Sequence, residues 1–268
     1  MENYKSENGK PNHCKNTASL RRDNKAITYQ DTTTNICNSY FLSVAESLNS
    51  GNNKHTNIKE PNPISYLINS FHRPFPKMSW HYALTYEIEK IIKSLKSKNS
   101  GGCDEISTRI PKLSAPYIIS PLTYICNAIL NTSIFPDKLK YASIKPVFKK
   151  GDDQDITNYR PISLLTSFSK VIEKLIYARL LDHIITNSIL VNEQYRFRIQ
   201  YSTEQVSFSL INSTLTAMNN NLKTGGIFCN LQNVFECVNH KILLDKPEFY
   251  GTEGNFKTLI KFYLTCRY

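Results

Sequence analysis

The 268-residue sequence has no Cys-x-x-Cys pair and no set of cysteines and histidines at zinc-ligand spacing. Its seven cysteines (Cys14, Cys37, Cys103, Cys126, Cys229, Cys237 and Cys266) are odd in number and scattered, which reads as reduced thiols in an intracellular protein. Cys237 with His240 is only an isolated half-pair. No apolar run approaches the ~20 residues of a membrane span; the region Tyr117 to Leu130 is broken by Ser120, Pro121, Thr123 and Asn127. The first thirty residues are polar and charged and lack the apolar core of a secretory signal. There is no internal repeat. Acidic residues are scarce: 22 Asp plus Glu against 33 Lys plus Arg leave a net charge of +11 and a pI near 9.2. That balance favours a polyanionic partner, nucleic acid before membrane, although a merely soluble basic surface carries the same charge.

What is present is globular in kind. Hydrophobic residues make up 40% and aromatics 11%, and the length suffices for one large domain or two smaller ones with a real core. Residues 1 to about 35 are rich in Asn, Lys, Ser and Thr and read as disordered. Ile36 to Leu48 reads as a short helix, with Tyr40, Phe41, Val44 and Leu48 on one face. Asn49 to Pro63 reads as linker, and "HRPFPKMSW" as an extended, proline-set end to it.

Stronger patterning begins after Trp80. Thr85 is a plausible N-cap, and Ile88, Ile91, Ile92 and Leu95 fall at i, i+3, i+4 and i+7 of an amphipathic helix. A second helix is expected near Pro116 to Leu130 and strands near 143–149 and 160–164, with a turn at Lys150-Gly151-Asp152-Asp153 between them. Ser167 to Asp182 reads as a helix with Phe168, Val171, Ile172 and Leu175 inward. Ser202-Thr203-Glu204 caps another that runs to about Asn220. After Gly225-Gly226, residues 226–231 read as a strand, and a helix is expected from His240 to Tyr250. Pro247 inside it costs about 3 kcal/mol.

Five blocks then carry a resemblance. They are "IEKIIKSLKSKNSGGCDEISTRIPK", "IFPDKLKYASIKPVFKKGD", "NYRPISLLTSFSKVIEKLIYARL", "LVNEQYRFRIQYSTEQV" and "GIFCNLQNVFECVNHKILLDKPEFYG". Over residues 88 to 268, in this order, they resemble the reverse transcriptase of jockey-like non-LTR retrotransposons. The third block is the most specific. The resemblance implies an α/β (α+β) fold: right-hand polymerase fingers with the first part of the palm, an incomplete palm sheet and a disordered N-terminal region. The implied division is 1–80 as a polar linker region, 81–225 as the opening and fingers region, and 226–268 as the start of the palm. It also implies RNA-templated DNA synthesis, with an RNA template and a DNA primer as partners.

Such polymerases use two Mg²⁺ ions held by aspartates of the palm. The first aspartate of the family stands on a strand, with an aromatic sugar gate five residues later. The gate position is Phe235, but the aspartate position is Asn230, whose amide brings no charge. The family's Lys and Phe-Asp read Asn233 and Phe235-Glu236. In "QYRFRIQYST", Arg196, Ile199, Gln200 and Tyr201 stand where the family has small or basic residues. The Tyr-x-Asp-Asp hairpin is absent from these 268 residues.

By position, Lys149 and Lys150 resemble the fingers lysines near the incoming triphosphate, and Arg160 the arginine that contacts it. Lys138, Lys140 and Lys145 are a solvated face or backbone-phosphate contacts. The leading expectation is a truncated, inactive polymerase fragment without productively bound Mg²⁺, without a small-molecule cofactor or membrane, in nucleus or cytoplasm. Two alternatives stay open: a basic nucleic-acid-binding module derived from the fingers, and an open reading frame that folds only in part.

Overall fold

A computed structural model describes residues 20–22, 25–27, 34–43, 63–71, 74–198, 200–229 and 238–265. In chain order the elements are β1 (Leu20–Arg22), β2 (Lys25–Ile27), α1 (34–43), α2 (Pro63–Ser70), α3 (Thr85–Ser94), α4 (Arg109–Leu113) and α5 (Ala115–Thr132). They continue as β3 (Ala142–Phe148), β4 (Tyr159–Leu165), α6 (Ser167–Thr186), α7 (Thr203–Asn219), α8 (His240–Phe249) and α9 (Asn255–Leu264). The described strands form two antiparallel hairpins, β1–β2 and β3–β4.

The core lies among α3, α5, α6 and α9. Ile88 and Ile92 of α3, Leu122, Cys126, Ile129 and Leu130 of α5, Val171, Ile172, Leu175 and Ile176 of α6, and Phe256 and Leu259 of α9 share one buried cluster. Each helix contributes a stripe at 3–4 residue spacing, the period that brings side chains to one face. Phe168 and Ile91 pack against this cluster while only half-buried. Asn127, which interrupts the apolar run of α5, is satisfied by the backbone: the Ala83 amide donates to its Oδ1 at 2.7 Å and its Nδ2 donates to the Ala83 carbonyl at 3.0 Å.

A polar node joins α6 to α3. Arg179, 6% exposed, donates from Nη1 and Nη2 to the two carboxylate oxygens of Glu87 at 2.7 and 2.8 Å, and from Nε to the His81 carbonyl at 3.2 Å. Farther along α6, His183 Nε2 lies 2.6 Å from the Tyr250 carbonyl at the end of α8. Phe71 and Phe75 meet Phe249 and Tyr250 in edge and tilted ring contacts at 5.2–6.2 Å.

Several expectations are corrected. Thr85 is the first residue of α3; Leu84 occupies the cap position with no side-chain cap. Pro63, read as the last residue of the linker, instead starts α2, and it is suited to the first helical position. α4 and α9 carry no separate expectation, and within the stretch read as disordered Leu20–Arg22 pairs antiparallel with Lys25–Ile27. α1 begins at 34; Val44 and Leu48 lie outside the described residues. Residues 226–229 are not a strand: they have no regular structure and Ile227 is 93% exposed. No described strand lies beside them, and a strand needs a ladder partner. Residues 230–231 lie outside the described set.

Candidate nucleic-acid interface

The β3–β4 hairpin positions most of the cationic residues singled out from sequence. Ala142 pairs with Leu165, Ile144 with Ser163, Lys145 with Ile162, Val147 with Arg160 and Phe148 with Tyr159. The Lys149 amide then donates to the Asn158 carbonyl at 2.8 Å. The turn is tied down: Gln154 and Thr157 amides donate to Asp152 and Asp155 carboxylates, each at 2.9 Å. Asn158 Nδ2 donates to the Asp152 carbonyl at 3.0 Å, and the Tyr159 hydroxyl to that of Asp153 at 2.6 Å. Gly151 has φ +102°, and a Cβ there would meet Asn158 Nδ2 at 2.8 Å, so glycine fits on both counts.

Directly opposed residues of a ladder share a face, and faces alternate along each strand. One face carries Ile144, Pro146 and Phe148 with Pro161 and Tyr159. At the turn end, Tyr159 packs with Cys37, Ile36, Tyr40 and Phe41 of α1 and with Ile156. Burial, then Asp153, pushes the Tyr159 hydroxyl pKa up. The opposite face carries Lys145, Val147, Arg160 and Ile162, all exposed.

Arg160 opposes Val147, so its diagonal neighbours on that face are Lys145 and, where the ladder continues, Lys149. Diagonal neighbours stand about 7–8 Å apart. The result is a stripe of three cations with Val147 and Ile162 between them, about 14 Å long at ~3.4 Å per residue. None of the three makes an ion pair among the described residues. Gly102 braces the base of the hairpin: a Cβ there would lie 2.6 Å from the Thr166 amide nitrogen.

The other candidates fall differently. Lys150 is exposed in the turn, outside the ladder. Lys138 is exposed in the 3₁₀ turn Asp137–Leu139. The expectation that Lys140 faces solvent is corrected: it is 2% exposed, 3.0 Å from Asp137 Oδ1, with its ammonium 3.9 Å from the centre of the Phe262 ring. Those contacts and its aliphatic stem make it part of the α9 packing. Asn230 and Phe235 lie outside the described residues. The face assignment of Val147 and Ile162 was not read from sequence, because it depends on the hairpin register. Arg179 was also missed; buried arginines show no pattern distinct from surface ones until the partner carboxylate is placed.

As to metal, among the described residues no group of three or more His, Cys, Asp or Glu could hold an ion. Asp152 and Asp155 accept amide hydrogens within the turn. The described donor set therefore does not fit a Mg²⁺ pair. Among the described residues no helix is long and apolar enough to cross a membrane.

Residues 147–268 match the family described as reverse transcriptase (RNA-dependent DNA polymerase). The chain is 34% identical over 163 residues to the RNA-directed DNA polymerase from mobile element jockey of Drosophila melanogaster, covering 60% of this chain and 18% of that protein. It is 36% identical over 161 residues to a probable RNA-directed DNA polymerase from transposon BS of the same organism, covering 60% and 18%. The jockey polymerase of Drosophila funebris is 30% identical over 178 residues, covering 66% and 19%. The chain thus spans less than a fifth of the length of these curated relatives. On these matches the segment 147–268, which takes in β4 and Arg160, matches the reverse transcriptase family model, and the chain is similar to the polymerases of jockey-like mobile elements.

Proposed function

We propose that the chain is the fingers region, residues 81–225, and the start of the palm, residues 226–268, of a non-LTR retrotransposon RNA-directed DNA polymerase. In this reading it holds nucleic acid by the phosphate backbone through the face of β3–β4 that carries Lys145 and Arg160. The observation that carries it is the register that sets Arg160 opposite Val147, diagonal to Lys145 and beside Lys149, on an exposed face where none of the three makes an ion pair among the described residues. Cations in a row suit a phosphate chain and read no base edge, as a template-independent grip requires. Lys149, Lys150 and Arg160 stand where the family meets the incoming triphosphate, so the same surface suits a nucleotide's phosphates. RNA template and DNA primer are the proposed partners.

The 268 residues by themselves do not polymerise in this reading. Two-metal transfer needs carboxylate charge, and position 230 supplies an amide. That neutral residue also favours the second reading, a binding module derived from the fingers. Fluorescence anisotropy with labelled RNA and DNA tests the surface. Replacing Lys145, Lys149 and Arg160 by Ala should weaken binding to all sequences and flatten the salt slope by about one unit per lost contact. Unchanged affinity and slope would remove the hairpin from the function and leave the charge acting diffusely.

A further inference from the structure

At the other end of α6 the chain builds a surface of a different chemistry. Between Gln194 and Thr203 it carries Tyr195, Arg196, Phe197, Arg198 and Tyr201, with no acidic residue in that interval. The Arg198 guanidinium carbon lies 4.2 Å from the centre of the Tyr201 ring, and that of Arg196 5.3 Å from the Phe197 ring. Tyr195 and Tyr201 meet edge to face at 5.5 Å. Phe197 remains 68% and Tyr201 40% exposed.

The loop is held in shape. Arg198 Nη1 donates to the Val191 carbonyl at 3.0 Å and Gln194 Nε2 to the Arg196 carbonyl at 2.8 Å. Phe197 and Gln200 take left-handed φ of 64° and 68°. Behind it opens a cavity of about 430 Å³, floored by Leu181, Ile184 and Leu190 and edged by Arg198 and Tyr201. That size lies within the range of small-ligand sites, about 300–1,000 Å³.

We propose that this loop is a stacking site for unpaired nucleobases, so that the chain prefers single-stranded nucleic acid to duplex. Exposed rings interleaved with arginines are the surface that single strands use: each base has a face to lay on a ring, and the guanidinium planes add charge and stacking. A duplex keeps its bases stacked inside and presents no such face. The site goes beyond the hairpin grip and does not depend on it. α6 has 20 residues and is about 30 Å long, with the hairpin at its start and this loop folded on its end. Arg196 and Tyr201 are among the residues by which this chain departs from the family pattern.

The test uses the full chain with a fluorescein-labelled oligouridylate and a labelled RNA duplex. Tyr201→Ala and Phe197→Ala should each weaken oligouridylate binding about tenfold, the loss of one stacked base, and leave duplex binding unchanged. Tyr201→Phe should retain the parent affinity. Photocrosslinking of 5-iodouridine-substituted strand to the unmutated chain should give adducts within 195–201, a readout that no folding defect of a variant can confuse. Adducts only elsewhere, or alanine variants that bind oligouridylate as the parent does, would overturn the site. If only the Lys145, Lys149 and Arg160 replacements weaken binding, this site is lost and the hairpin reading stands. If only the ring replacements do so, the stacking site stands and the hairpin reading is lost.

Discussion

Arg179 and Glu87 form the most committed polar contact of the core, because the guanidinium is almost wholly removed from water and both carboxylate oxygens are engaged. Arg179→Ala leaves a half-buried carboxylate without its partner and should cost about 3 kcal/mol, read as a lower urea midpoint. The Arg179 hydrogen bonds hold the Glu87 carboxyl below its ordinary value of 4.5, against the opposing pull of burial. A carboxylate with a depressed folded pKa adds stability above its unfolded pKa and loses it as pH falls through the folded one. Stability should therefore drop below about pH 4.5, and Glu87→Gln should flatten that part of the profile. Cys126 sits beside this node with its thiol pushed up to about 12 by burial and then by Glu87. In the folded chain iodoacetamide at neutral pH should modify exposed Cys103 and Cys229 and spare Cys126 and Cys37, by mass spectrometry. Early modification of Cys126 would mean that the α3–α5–α6 core is open.

Among the elements, α7 and α8 show what sequence patterns can and cannot tell. Ser202 accepts from the Gln205 amide at 3.3 Å and Gln205 Oε1 from the Ser202 amide at 2.8 Å, a complete capping box that was legible as a helix start. Yet α7 buries no residue: Phe208, Ile211, Leu215 and Met218, which share one stripe, are 53–73% exposed. A solvent-bathed helix of this length is marginal. Ser202→Ala should cost about 1 kcal/mol of local stability, and amide exchange should be faster in α7 than in α3 or α6. Pro247 was read as a costly proline inside the helix, and it does lie within α8, where it forfeits one intrahelical bond; the Thr252 amide donates to its carbonyl at 2.9 Å. Pro247→Ala should stabilise the chain by up to ~3 kcal/mol, seen as a higher melting temperature. A helix with a clean apolar stripe, such as α3, was legible because periodicity reports the buried face. The strand read over 226–231 fails at the described residues 226–229 because apolar residues specify a strand only when a neighbour completes the ladder. The basic face of β3–β4 was half legible: Lys149 and Arg160 came from the family blocks, whereas the exclusion of Lys140 needed the packing of Phe262.

For the whole molecule, net charge and incomplete ligand charge give separate expectations. The 268 residues and their Asn230→Asp variant should both fail to add nucleotides to a primed RNA template with Mg²⁺ or Mn²⁺, since one restored aspartate does not make a two-metal site. Incorporation above a no-protein control would overturn the inactive reading. Nucleic-acid affinity should instead fall steeply between low and high salt. The ring cluster of Phe71, Phe75, Phe249 and Tyr250 has a consequence for biosynthesis. Its two halves are separated by roughly 180 residues, and at about 5–20 residues per second the ribosome takes on the order of ten to forty seconds to deliver the second half. Until then the aromatic face that follows α2 has no partner from α8. During that interval the nascent chain is most open to chaperones and proteases, and the arrival of Phe249 and Tyr250 closes it.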